Sequence, residues 1–188
     1  VLLCAGLGTR LRPLTDSVPK CLIPINGKPL LQIWLEQLSA AGFSEFLINS
    51  HYLAEQVHAF IDNSPYKAHI TVFHEAQLLG TLATLRATLD FWQDDPVLVV
   101  HADNLCLCSW DKFIVNFQHR PRNCFGTMMV FESDHPQSCG IIEYDDTNRV
   151  TAFHEKVEAP PSNLANAAIY LFDHHIKQII ASTVITET

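Results

Sequence analysis

Val1-Leu-Leu-Cys-Ala5-Gly-Leu-Gly-Thr-Arg10-Leu-Arg-Pro-Leu-Thr15-Asp-Ser-Val-Pro-Lys20 joins an apolar run of strand length to a basic loop that contains two glycines. The run Val1–Ala5 reads as a buried strand. Gly6 and Gly8 let the backbone turn sharply and bring its N–H groups close to a ligand. Successive N–H groups in such a loop form an anion-binding concavity. Arg10, Arg12 and Lys20 add positive charge locally to a chain whose formal net charge is −8. A triphosphate is the natural occupant. Two other phosphate motifs are excluded. Position 11 is Leu rather than the third Gly of the dinucleotide fingerprint, and no Gly-Lys-Ser/Thr closes the loop as in a P-loop.

Working outward, apolar runs alternate with helix-period segments. Helices are expected over Pro29–Ala41, Leu53–Ile61, Thr81–Trp92 and Trp110–His119, and strands over Phe46–Asn49, Ile70–Phe73 and Pro96–His101. Strand alternating with helix implies parallel strands, right-handed crossovers and helices on both faces. The rhythm then changes to strands at Phe125–Phe131, Gly140–Tyr144, Val150–Phe153 and Asn163–Phe172, with a hairpin turn at Asp145–Asn148 and a closing helix at Asp173–Ala181. The expectation is a single α/β domain over residues 1–188, a Rossmann-like three-layer α/β/α arrangement around a mostly parallel, mixed central sheet. Ligands in such sheets sit beyond the carboxyl ends of the strands, where strand order reverses. The segments to read are therefore the loop after Ala5, the stretch Glu75–Thr81 and the end of Pro96–His101.

The bulk composition narrows the function classes. An acidic chain argues against broad binding to nucleic acid or to an anionic membrane. No apolar run approaches a membrane span, and no secretory signal is seen. Six scattered cysteines give no zinc spacing, since Cys106-Leu-Cys108 has no matching second pair. Reduced thiols and a cytoplasmic setting are expected. The chain opens without Met, so residues are expected to precede Val1. A homo-oligomer is left open.

The opening string resembles the signature of the sugar-1-phosphate nucleotidyltransferases through Gly6, Gly8-Thr-Arg-Leu11, Pro13-Leu-Thr15 and Pro19-Lys20, with Leu7 where many members carry a second Gly. Similarity continues through Ile25–Leu30, Leu79-Gly-Thr81, Ala102-Asp103, Phe153-His-Glu-Lys156 and Asn163–Tyr170, in the family's order. The resemblance implies that Ala5, Gly6, Gly8 and Thr9 wrap a nucleoside triphosphate. Arg10 would hold the β and γ phosphates, and Lys20 would stand near the α-phosphate. Asp103 would bind Mg²⁺, with Ala102 where the family usually has Gly. A second metal-binding Asp is expected beyond Thr188, so the chain is expected to be truncated at its C-terminus. Gln77 and Gly80 would lie at the base, and Gly140, Glu155, Lys156 and Asn163 at the sugar phosphate. The stretch Glu75–Thr81 is similar to members that use GTP, with a mannose-1-phosphate-like acceptor.

The physics agrees with these roles, because cations placed where charge collects stabilise a leaving pyrophosphate. Arg12 is read as a third phosphate contact or an ordinary surface residue. His51, His101 and His154 fall near strand ends and need no special role. Three other readings stay open: a non-catalytic regulatory subunit that binds a sugar nucleotide, a thymidylyl- or uridylyltransferase for another sugar 1-phosphate, and transfer to a non-sugar phosphate such as a phosphorylated choline.

Overall fold

The computed structural model describes residues 1–184. In chain order the elements are β1 (Leu2–Leu3), β2 (Pro24–Ile25), β3 (Lys28–Pro29), α1 (Leu30–Ala40), β4 (Phe46–Ser50), α2 (Ala54–Asp62), β5 (Ile70–His74), α3 (Thr81–Ala87), β6 (Val97–His101), α4 (Trp110–Gln118), β7 (Gly126–Glu132), β8 (Gly140–Tyr144), β9 (Val150–Glu155), β10 (Leu164–Phe172) and α5 (Ile176–Ser182). Eight strands form one sheet in the order β5-β4-β1-β6-β10-β8-β9, with β7 also paired to β10. The pairings β5–β4, β4–β1 and β1–β6 are parallel, and every pairing of β10 is antiparallel. The expected mostly parallel half and mixed half are both present.

Alternation along each strand explains the three layers. Leu2, Ile48, Leu98, Val100, Ile169 and Leu171 point to one face, where they pack with Leu31, Trp34 and Leu35 of α1, Val57 of α2 and Phe113 of α4. Val1, Leu47, Val97 and Val99 point to the other, with Leu85 of α3 and Ile180 of α5. The period of two along a doubly covered sheet makes the strands nearly all apolar, as the sequence reads. At the end of α1, Gly42 takes φ +93, Gly42 N–H bonds Ser39 O and Phe43 N–H bonds Leu38 O. That left-handed glycine stop is the one anticipated from the sequence.

The expected strand Val1–Ala5 keeps only Leu2–Leu3, most other boundaries shift by a residue or two, and three shifts have a visible local cause. Pro29 belongs to β3 rather than to the first turn of α1. It lies in a small ribbon, where Asn26 and Gly27 both take positive φ and close a tight turn. The helix expected over Thr81–Trp92 stops at Ala87, because the Thr88 hydroxyl bonds back to Thr84 O and Leu85 O. A 3₁₀ turn then carries Leu89–Trp92. The closing helix begins at Ile176, after the Asp173 carboxylate caps the turn at His175 N–H. Residues 185–188 of the expected domain lie outside the described residues. All six cysteines are free thiols. Among the described residues no helix is long and apolar enough to cross a membrane.

Candidate active site

The chain runs from β1 outward to β4 and β5, then returns to place β6 on the other flank of β1. Strand order reverses at β1, and a cleft of about 310 Å³ opens at the carboxyl ends there. Its floor is Leu3, Cys4, Ala5 and Asn49. One wall is the loop Gly6–Leu11 with Lys20, and the other is Glu75, Leu78, Gly80, Thr81 and Thr84, with His101 and Asp103 at the end of β6.

The phosphate-side wall is shaped by few groups. Gly8 sits in the left-handed region at φ +64 and starts a 3₁₀ turn over Thr9–Leu11. Arg10, in that turn, is exposed and lines the cleft. On the same wall, Lys20 Nζ donates to Asp103 Oδ2 at 2.6 Å. That pair joins the segment after the β1 loop to the end of β6. Arg12 instead pairs with Asp16 at 3.2 Å, more than half exposed and outside the cleft lining.

The opposite wall is held by a buried carboxylate. Glu75 is 2% exposed. Its Oε1 accepts from Asn49 Nδ2 at 2.7 Å and Thr84 Oγ1 at 2.5 Å, and its Oε2 accepts from Leu79 N–H at 3.0 Å. Asn49 Oδ1 in turn accepts the Cys4 N–H at 2.6 Å. One side-chain network therefore fixes the end of β1, the end of β4 and the start of α3. Gly80 takes φ +80 just ahead of α3, a conformation suited to glycine. Gln77 is exposed and does not line the cleft.

Burial pushes the His101 imidazole below its usual range; Asp103 opposes this shift and Lys20 adds to it. The Cys4 thiol is pushed well up, first by its bond with Cys21 and then by burial. The cleft floor is therefore neutral.

The four residues expected at a sugar phosphate lie outside this cleft lining. Val100 pairs with Ile169, and Ala165 pairs with Ile141. Gly140 pairs with Glu155. Glu155 Oε1 and Lys156 Nζ form an exposed pair at 3.1 Å. A Cβ on Gly140 would run first into the Phe153 ring and then stand 2.9 Å from Glu155 Oε2, so glycine leaves room for both side chains. Lys156 adopts φ +49 with its N–H on Cys139 O, and Asn163 is exposed with its carbonyl on Ser133 N–H.

The nucleotidyl transferase profile matches residues 1–188. The chain belongs to the nucleotidyl transferase family. It is 34% identical over 187 residues to the bifunctional protein GlmU of Methanocaldococcus jannaschii, covering 100% of this chain and 43% of that protein. It is 34% identical over 185 residues to the mannose-1-phosphate guanylyltransferase catalytic subunit beta of Drosophila pseudoobscura pseudoobscura, covering 96% and 49%. The chain thus spans less than half the length of these curated relatives. Among solved structures, a putative glucose-1-phosphate thymidylyltransferase from Bacillus anthracis superposes with a TM-score of 0.84 at 20% identity, covering 98% of this chain and 74% of that one. The nucleotidyltransferase fold read from the opening motif is the fold observed.

Asn49 and Thr84 were not singled out as site residues from sequence, and Glu75 and Leu78 only as part of the stretch Glu75–Thr81. Asn49 did carry a signal. A polar residue ending the apolar run Phe46-Leu-Ile is the same pattern that drew attention to Asp103.

For magnesium, the described residues hold no group of three or more His, Cys, Asp or Glu ligands. Asp103 alone at the cleft mouth suits an ion that takes its remaining ligands from phosphate oxygens and water.

Proposed function

We propose that this domain transfers a nucleotidyl group from a nucleoside triphosphate to a sugar 1-phosphate, releasing pyrophosphate, with GTP and a mannose-1-phosphate-like acceptor as the favoured pair. The carrying observation is the cleft at the strand-order reversal, which the Gly6–Gly8 loop, Arg10, Lys20 and Asp103 line together. The reaction is a direct in-line displacement. An oxygen of the sugar phosphate attacks the α-phosphorus, the α–β bridging bond breaks, and that electron pair leaves with pyrophosphate. No protein nucleophile is needed. Mg²⁺, when bound at Asp103, would neutralise charge on the phosphates.

The residues act by positioning and charge. Backbone N–H groups of the loop cradle the triphosphate, and Arg10 takes the leaving phosphates in a two-point contact. Lys20 supplies a point charge, and an incoming α-phosphate competes with Asp103 for its ammonium. Gly140, Glu155, Lys156 and Asn163 receive the acceptor. Preference for GTP is supported by the guanylyltransferase relative.

The test is pyrophosphate release by the full-length protein with Mg²⁺ across four nucleoside triphosphates and several sugar 1-phosphates. Release with GTP and mannose 1-phosphate supports the full reading, and release with another pair corrects base or sugar. Silence across the grid with tight binding of a sugar nucleotide points instead to a regulatory subunit.

A further inference from the structure

We propose that Thr15, which does not line the cleft, is the positioning residue of the phosphate cradle, holding Gly8 in its left-handed conformation from beneath while Tyr52 anchors Thr15 to the end of β4. The inference rests on the reading of residues 6–20 as that cradle.

Thr15 is fully buried although its neighbours Leu14 and Asp16 are exposed. Its Oγ1 donates to Gly8 O at 2.8 Å. That carbonyl also accepts Leu11 N–H at 2.9 Å, which starts the turn carrying Arg10. The methyl side of Thr15 fills the space beneath Gly8. A Cβ built on Gly8 would stand 2.8 Å from Thr15 Cγ2, 3.2 Å from Thr15 Cβ and 3.3 Å from Lys20 Cβ. Thr15 thus touches Gly8 with its hydroxyl and its methyl together, and Lys20 closes on the same point.

Thr15 is itself fixed from outside the loop. Its carbonyl accepts Tyr52 Oη–H at 2.9 Å, and Gln56 Nε2 of α2 donates to Ser17 O at 2.9 Å. Tyr52 follows β4, whose Asn49 organises the opposite wall. The last residues of β4 and the turn after it therefore hold both walls. On one side they grip Glu75 and α3, and on the other they grip the loop through Thr15. A displacement of about 1 Å in such a cradle is enough to lower turnover severely.

Thr15→Val keeps the shape and removes the hydroxyl, whereas Thr15→Ser keeps the hydroxyl and removes the methyl. Tyr52→Phe removes the anchor without touching the loop's interior, and so serves if Thr15→Val fails to fold. The probe is inorganic tripolyphosphate, titrated calorimetrically into the full-length protein, so that base and sugar play no part. Loss of one such hydrogen bond is expected to weaken tripolyphosphate binding ~5- to 10-fold in Thr15→Val and ~3-fold in Tyr52→Phe. Thr15→Ser should bind within ~3-fold of wild type. With any substrate pair the wild type turns over, KM for the sugar phosphate should stay unchanged while KM for the nucleotide rises.

Wild-type affinity for tripolyphosphate in both Thr15→Val and Tyr52→Phe overturns the inference. So does a loss of both substrates' KM in proportion to thermal stability, or the absence of tripolyphosphate binding by the wild type. Binding that follows the expected order in a protein that releases no pyrophosphate supports the role of Thr15 and separately defeats the catalytic reading.

Discussion

Glu75→Ala removes a buried acceptor on which three donors converge: the Asn49 amide, the Thr84 hydroxyl and the Leu79 N–H. Each donor left unsatisfied away from water costs about 1–3 kcal/mol. The deletion should therefore destabilise the domain by roughly 4 kcal/mol, a drop in Tm of about 8–16 °C at this size. Glu75→Gln keeps the shape. With its carbonyl oxygen at the Oε1 position, Asn49 and Thr84 retain their acceptor, and the amide nitrogen confronts only the Leu79 N–H. That variant should lose about 1–2 kcal/mol. Urea unfolding reported by the buried Trp34, Trp92 and Trp110 measures both. A loss below 1 kcal/mol in Glu75→Ala, or equal losses in the two variants, would refute the claim that this carboxylate organises the base-side wall.

Ala168 occupies φ +56 within the irregular stretch of β10. Ala168→Gly should therefore raise stability by up to about 1 kcal/mol, read as a higher urea midpoint at unchanged slope. Burial pushes the Asp173 carboxyl upward, but hydrogen bonds from Arg120 and His175 outweigh it and hold the group below its usual range. Its stabilisation is thus present above pH ~4 and is lost as pH falls through the lower folded value. Asp173→Asn should cost about 2 kcal/mol at pH 6, and the cost should shrink as pH falls below ~4 in a pH series of unfolding curves. Arg10→Ala and Asp103→Ala should each lower kcat by roughly 10² or more in a pyrophosphate-release assay, and turnover intact in both would sink the assignment.

The sequence made the outline legible because doubly covered strands are apolar throughout and the helices carry their own periodicity. Leu2, Ile48 and Val100 belong to such runs, and Gly42 marks its helix end without help from tertiary contacts. The phosphate-side loop was legible for a similar reason, since Gly6, Gly8, Arg10 and Lys20 are unusual residues gathered in one short string. What stayed hidden was tertiary. Nothing local distinguishes Glu75, which is buried under Asn49 and Thr84, from Gln77, which is exposed two residues later. Nothing local shows that Thr15 is buried while Leu14 is not. The ribbon around Asn26-Gly27 was missed because Pro24 and Pro29 flank it and break the strand pattern.

The position of β10 in the sheet carries a consequence for biosynthesis. It pairs with β6 and β8 along one edge and with β7 along the other, yet it leaves the ribosome long after β6. At ordinary elongation rates that delay is on the order of 3–14 s. For all that time Val97, Leu98, Val99 and Val100 present an unpaired apolar edge beside an otherwise completed parallel half. The nascent chain is thus most open to wrong pairing after its nucleotide-binding half has emerged and before residues 164–172 arrive. A chaperone that shields this one edge during that interval would protect the whole domain.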